Sequence, residues 1–223
     1  MNDFYKPPIY LQWFEAILLL VIGFYPALVI IEFTYSHLIY SLLFLFYLPI
    51  GQFATTPFWK LTGIYKYYSP MLMGYMPNDI QIDLHSGSSF DYLFVMRKYK
   101  SGKQCRNRLL TYHLEGLLNI ISLIENDSVP KTIIISGTSY FFNERTLHKV
   151  GFELEKPSLF YRINLFVNAI DLIWMYSVSQ GRFSIPKIWN AKKAIISGSI
   201  LLGKKDIIEK LYKRMESKTM MNL

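Results

Sequence analysis

The chain opens with two long apolar runs, "LQWFEAILLLVIGFYPALVII" (residues 11–31) and "LIYSLLFLFYLPIGQFATTPFW" (38–59). Each has the roughly 20 residues that a helix needs to cross a bilayer. The pattern predicts a transmembrane helical hairpin over residues 1–59. A pair of buried helices in a soluble core is the alternative, since Glu15, Pro26 and Pro49 interrupt the runs. "YSPMLMGYMPND" (68–79) is punctuated by Pro and Gly and belongs to a linker over 60–79. "IQIDLH" (80–85) alternates apolar and polar residues, "SGSS" (86–89) turns, and "FDYLFVMRKY" (90–99) is a second strand-like run, so a β-hairpin is predicted. Leu109, Leu110, His113, Leu114, Leu117, Leu118, Ile121 and Ile124 recur at helical spacing and predict an amphipathic helix over 104–126. "KTIIISGTSYF" (131–141) is a continuous β-branched run, as in a buried strand. "NERTLHKVGF" (143–152) predicts a short helix with Asn143 as its cap and Gly151 as its stop. "FELEK" (152–156) alternates again. Residues 80–157 therefore read as strand–strand–helix–strand–helix–strand, a small α/β (α+β) domain with a mixed sheet. Residues 158–223 predict helices over 158–180 and 185–217, the second basic and amphipathic, and a polar basic tail.

Composition sharpens the division. Hydrophobic residues make up 52% of the 223 and charged residues 18%. There is no Asp, Glu, Lys or Arg between Phe33 and Trp59, whereas charge is ordinary in the second half. Residues 1–59 contain one base and three acids; the rest contains 23 bases and 13 acids. The link between the apolar runs carries no Lys or Arg, while Lys6 precedes the first run and Lys60 and Lys66 follow the second. Positive flanks stay inside, so the expectation is a multi-pass protein of a bacterial cytoplasmic membrane with both termini cytoplasmic. A basic domain beside an anionic leaflet gains about 1 kcal/mol for each Lys or Arg held near the surface. No nucleic-acid recognition motif accompanies the charge, so membrane lipid is the expected partner and nucleic acid is not.

Candidate chemistry is sparse. The lone Cys105 excludes an internal disulfide and a multi-cysteine metal site, and His85, His113 and His148 follow no ligand spacing, so no metal is expected. Asp83 and His85 alternate on one strand face and could form an acid–base pair with Asp91 nearby; surface turn chemistry explains the same residues. Ser136, Thr138 and Ser139 end a central strand, where α/β proteins bind ligands, but without the Gly-x-Ser-x-Gly elbow of a serine hydrolase. Lys98, Lys100, Lys103, Arg106 and Arg108 surround Gly102 at the start of the long helix. That turn reads either as a phosphate grip or as a solvated helix start near lipid headgroups.

"RKYKSGKQCRNRLL" (97–110), placed between the second predicted strand and the long helix, resembles the C-terminal half of the GNAT N-acetyltransferase superfamily. Asn143 and the later "KVGF" (149–152) are similar to a second segment of that family. The resemblance implies a GNAT-like half-domain, with acyl-CoA as cofactor held at Gly102, Lys103, Gln104 and Arg106. Gln104 and Arg106 stand where the family has small residues. No catalytic side chain is identified. The expected function is a non-catalytic membrane-anchored component, without a cofactor, that binds a protein partner or anionic lipid. The alternative is a membrane-anchored acyl-CoA-dependent acyltransferase.

Overall fold

Helix α1 (Ile9–Ser36) and helix α2 (Leu43–Leu61) form a hairpin through a 3-10 turn at Leu38–Leu42 in the computed structural model, which describes residues 2–139 and 144–220. Both helical segments are long and apolar enough to cross a membrane, and their most apolar windows are only 17% and 6% buried. Helices in a soluble core would have those faces covered. The two helices close on small residues: a Cβ added to Gly23 would collide with the Ala54 methyl, a packing device of membrane helices. Residues before α1 fold back onto the domain that follows α2. Asn2 donates to the Asp91 carboxylate at 3.3 Å, Asp3 pairs with Lys98 at 2.8 Å, and the Phe4 and Phe90 rings lie 5.0 Å apart. Both ends of the hairpin therefore lie on one side of it.

Six strands form one mixed sheet: β1 (Tyr65–Ser69), β2 (Leu72–Tyr75), β3 (Gln81–Ser86), β4 (Ile134–Ser139), β5 (Glu153–Glu155) and β6 (Lys192–Ser197). Their spatial order is β1-β2-β3-β4-β6-β5. Every neighbouring pair is antiparallel except β3 and β4, which run parallel. A parallel connection requires a crossover, here made by α3 (Ser89–Phe94) and the long α4 (Lys103–Glu125). After β4 come α5 (Glu144–Val150), then β5, α6 (Leu159–Val167), α7 (Ala169–Gln180), β6, α8 (Gly198–Leu202) and α9 (Lys205–Met220).

The main core lies between one sheet face and α4. Leu114, Leu117, Ile120, Ile121 and Ile124 pack on Ile82, Leu84, Ile133, Ile135 and Ile196, with Leu147 of α5 and Ile208 of α9 closing the edges. The first turns of α4 extend past this core into a second cluster, where Cys105, Leu109 and Tyr112 meet Met71, Tyr92, Met96 and Met175. Helices α2, α6 and α7 cover the opposite sheet face only in part.

Three stretches differ from the sequence expectation. Residues 68–79, read as linker, contribute most of the β1–β2 hairpin, and the Pro70 that suggested a break lies between these two strands. Residues 90–99, read as a strand, form α3 and a 3-10 turn, because the Asp91 carboxylate accepts from the Ser88 N–H at 3.0 Å and caps the helix. Within 185–217, read as helical, Lys192–Ser197 pairs along its length with β4 as a sheet strand. The run 158–180 is helical but breaks at Asn168. The proposed cap Asn143, like the end of the 131–141 run, lies outside the described residues.

Candidate functional site at a strand split

Strand β3 alternates faces. Ile82, Leu84 and Ser86 turn toward α4, while Gln81, Asp83 and His85 turn toward α2, α6 and α7. β3 and β4 pair from Gln81↔Ile134 to Leu84↔Gly137, and no pair follows. Beyond this point His85 and Ser86 stay registered with β2, while Thr138 and Ser139 stay registered with β6. Each strand follows its own antiparallel neighbour, and the two separate. The split lies at the C-terminal ends of two parallel strands, the usual ligand position in an α/β sheet.

A cavity lies on each side of the split. On the α4–α5 side is a small apolar one of about 80 Å³, walled by residues such as Leu72, Leu114, Leu117, Leu147 and Phe152. On the opposite side is a polar one of about 490 Å³, bounded by Gln52 and Thr56 of α2, by Tyr161 and Asn164 of α6, and by Asp171 of α7. Leu84, His85, Ser86 and Thr138 line both. The two cavities therefore share a wall of four residues at the place where the β3–β4 pairing ends.

Two histidines address that place. His85 Nε2 lies 3.1 Å from Asp83 Oδ2, whose other oxygen accepts from the Ser136 hydroxyl at 3.1 Å. Ser136 in turn accepts from the Gln81 amide at 3.1 Å. A carboxylate only accepts, so Nε2 carries the proton, and Nδ1 of a neutral His85 is the basic nitrogen. Burial raises the Asp83 carboxyl, but His85, Ser136 and Lys193 outweigh it, and the net shift is downward. Asp83 is therefore an ionised anchor. His113, buried in α4, gives the second arrangement. Its Nδ1 lies 2.7 Å from the Leu109 carbonyl, which fixes the proton there and leaves Nε2 to accept from the Ser86 hydroxyl at 2.9 Å. Burial pushes the His113 imidazole below its ordinary value, against the Leu109 hydrogen bond, and keeps it neutral.

The Gly102 turn is elsewhere and closed. The Gly102 N–H donates to the Val178 carbonyl at 2.8 Å, near the end of α7. A Cβ on the facing Gly181 would lie 2.9 Å from the Gly102 Cα. Gln104 is buried and accepts from the Lys100 N–H at 2.7 Å; Arg106 reaches the Gln180 side chain at 3.4 Å; Lys103 is exposed. Of the surrounding bases, Lys98 is paired with Asp3 and Arg108 lies 4.3 Å over the Tyr112 ring.

Structure and sequence agree on the Asp83–His85 pair, and Thr138 joins it at the split while Ser136 supports it from beneath. Asp91 does not. Besides capping α3, it accepts from the Tyr67 hydroxyl at 2.7 Å, and burial raises its carboxyl to about 6. Cys105 is buried, with its thiol pushed up to about 11, which removes it as a nucleophile. Sequence reasoning missed the Ser86–His113 contact and Asp171. The available signal was the polar His113 within an apolar helical stripe. Among the described residues no group of His, Cys, Asp and Glu side chains could hold a metal ion. No family model matches the chain, and neither a curated protein nor a solved structure does.

Proposed function

We propose that the chain is a membrane-anchored acyltransferase, with α1 and α2 crossing the bilayer and the α/β domain on the cytoplasmic side. One observation carries the reading: where the β3–β4 pairing ends, an apolar cavity and a polar cavity meet at a shared wall, and His85 lines both. An acyl thioester whose chain lies in the apolar cavity presents its carbonyl carbon at the split. A nucleophile arriving through the polar cavity attacks that carbon, His85 Nδ1 removes its proton, and the C–S bond breaks. Asp83 positions the imidazole and stabilises its charged form. The strand order and the single parallel pair support the resemblance to a GNAT-like half-domain. The basic flanks of the hairpin, and the return of residues 2–5 to the domain, support the orientation.

Acyl-CoA is the proposed donor, held by its acyl chain and pantetheine arm. The Gly102 turn contributes no phosphate cradle, because its backbone donor is occupied and α7 covers it. In detergent, acyl-CoA and the matching acyl-pantetheine should therefore stabilise the protein about equally, by about 2.7 kcal/mol at a hundredfold excess over Kd. A Cβ on Gly137 would lie 3.0 Å from the Leu84 carbonyl, so Gly137→Val should obstruct the split and abolish that stabilisation. Asp83→Asn should lower acyl transfer by about 100-fold while leaving thioester binding intact. Failure of both thioesters to stabilise the wild-type protein would sink the reading.

The closed Gly102 turn favours a second reading, a non-catalytic component that binds a protein partner or anionic lipid. Under it, thioesters do not stabilise the protein, and anionic vesicles are bound with a strength that falls as salt rises.

A further inference from the structure

The polar cavity lies between α2 and α6, and the position of these helices relative to a bilayer is constrained by length. Gln52 of α2 hydrogen-bonds to Asn168, the residue between α6 and α7. Only residues 38–51 lie beyond that contact toward the hairpin tip, an arm of roughly 20 Å. The hydrocarbon core is about 30 Å thick. For Glu32 and His37, near the tip, to reach water on the far side, Asn168 must sit on the order of 10 Å below the near surface.

The outer face of α6 suits that depth. Leu159, Phe160, Ile163 and Phe166 are 74%, 80%, 53% and 70% exposed. The segment carrying Trp189, itself 67% exposed, packs beside α6 and extends the apolar surface. Amphipathic helices of this kind lie about 5–10 Å into the boundary between headgroups and acyl chains. Hairpin length and α6 exposure are independent observations, and both put the α6 rim of the cavity among the outer acyl chains, so that the cavity reaches from there toward the lipid headgroups. Among the described residues, two carboxylates line the cavity, those of Asp83 and Asp171, and no Lys or Arg does. Burial, partly offset by Ser89, pushes the Asp171 carboxyl up to about 6, so it is mostly ionised at neutral pH.

We infer that the acceptor is a membrane lipid with a primary-amine head group, entering sideways from the cytoplasmic leaflet with its chains along α6 and its ammonium between Asp83 and Asp171. This rests on the acyltransferase reading for its chemistry. The ammonium gives one proton to His85 Nδ1, the nitrogen adds to the thioester carbonyl carbon, and the C–S bond breaks. The second proton leaves with the thiol, and the products are an N-acylated lipid and a free thiol. The amine supplies the selectivity, and the apolar face of α6 supplies the entry.

The test uses the full chain in lipid nanodiscs with phosphatidylethanolamine carrying a photoactivatable group near its headgroup. Labelling should fall on residues 159–171, should be competed by unlabelled phosphatidylethanolamine and not by phosphatidylglycerol, and should drop about tenfold in Asp171→Asn. Asn164→Leu, at the exposed rim, should lower it too and guards against a folding defect in the first variant. Equal competition by both lipids, or labelling confined to α1 and α2, overturns the inference. The two readings fail separately. Amine-selective labelling without transfer from acyl-CoA or acyl-pantetheine keeps the lipid site and removes the acyltransferase. Transfer to a water-soluble amine without lipid labelling does the reverse.

Discussion

The Gly102 turn and the β3–β4 split both place a glycine beside chain that could receive a ligand, yet one is closed and the other open. At Gly102 a basic sequence and a helix start suggest a phosphate grip, but α7 ends against it and its N–H already donates to Val178. At Gly137 the local sequence offers only hydroxyl side chains at the end of a predicted strand, but two strands part because each remains paired to a different neighbour. Whether backbone is available to a ligand is decided by what packs over it, a tertiary property that a local motif does not encode.

The largest expected effect breaks the closed side of this comparison. Gly181 has φ +70°, and a side chain there meets the Gly102 backbone. Gly181→Val should cost about 3 kcal/mol, combining left-handed strain with overpacking. For a chain of this size the melting temperature in detergent should fall roughly 6–12 °C. An unchanged melt would show that the turn is not held against α7.

A middle-sized effect sharpens the open side. Asp171 is raised to about 6 in the folded chain against 3.8 for the ordinary group. Because the folded value is the higher one, the stabilisation is complete below about pH 3.8 and is lost as pH rises through about 6. Between pH 4.5 and 7.5 the loss attributable to this group is about 2 kcal/mol. Asp171→Asn should remove that share of the slope, measured by denaturation at both pH values, while the share of Asp91, also raised to about 6, remains. A slope undiminished from that of the unsubstituted chain would mean that Asp171 is solvated and the cavity wall is loose.

The smallest effect returns to the turn. Lys103→Gln and Arg106→Gln alter exposed charges and should each change stability by less than about 0.5 kcal/mol. Neither should alter acyl-CoA affinity in calorimetry. A tenfold loss on either would restore a phosphate role to the turn and erase the contrast with the split.

What the sequence made legible follows from how far each signal reaches. The apolar hairpin, the helical stripe Leu109–Ile124 and the β-branched run into β4 are local patterns, and the structure forms α1, α2, α4 and β4 from them. The alternation that put Asp83 and His85 on one face was equally local. Tyr67, Tyr68, Leu72 and Met73 were hidden as strand residues because Pro70, Gly74 and Pro77 dominate the reading. Yet Gly74 belongs in β2, where a Cβ would press on Tyr68 and Ile82 at 3.0 and 3.2 Å. Phe90 and Tyr92 have strand-like character, but the Ser88–Asp91 cap directs them into a helix. The split itself had no signal at all. It depends on registers between segments about fifty residues apart, and on β6, which was concealed inside a basic amphipathic run.

The N-terminal clasp adds a question of timing. Asn2 and its partner Asp91 are 89 residues apart in sequence. At about 5–20 residues per second of synthesis, roughly 5–20 s pass between the making of one and the other. From the making of Leu61, which ends α2, to the making of Asp91, both hairpin helices are complete while the segment before α1 still has no docking site. If the hairpin spans a bilayer as proposed, insertion can begin before the clasp forms, and the clasp does not choose the hairpin's orientation. It would then act afterwards, as a latch on an orientation already taken, and its loss would shorten the lifetime of the finished arrangement without redirecting its assembly.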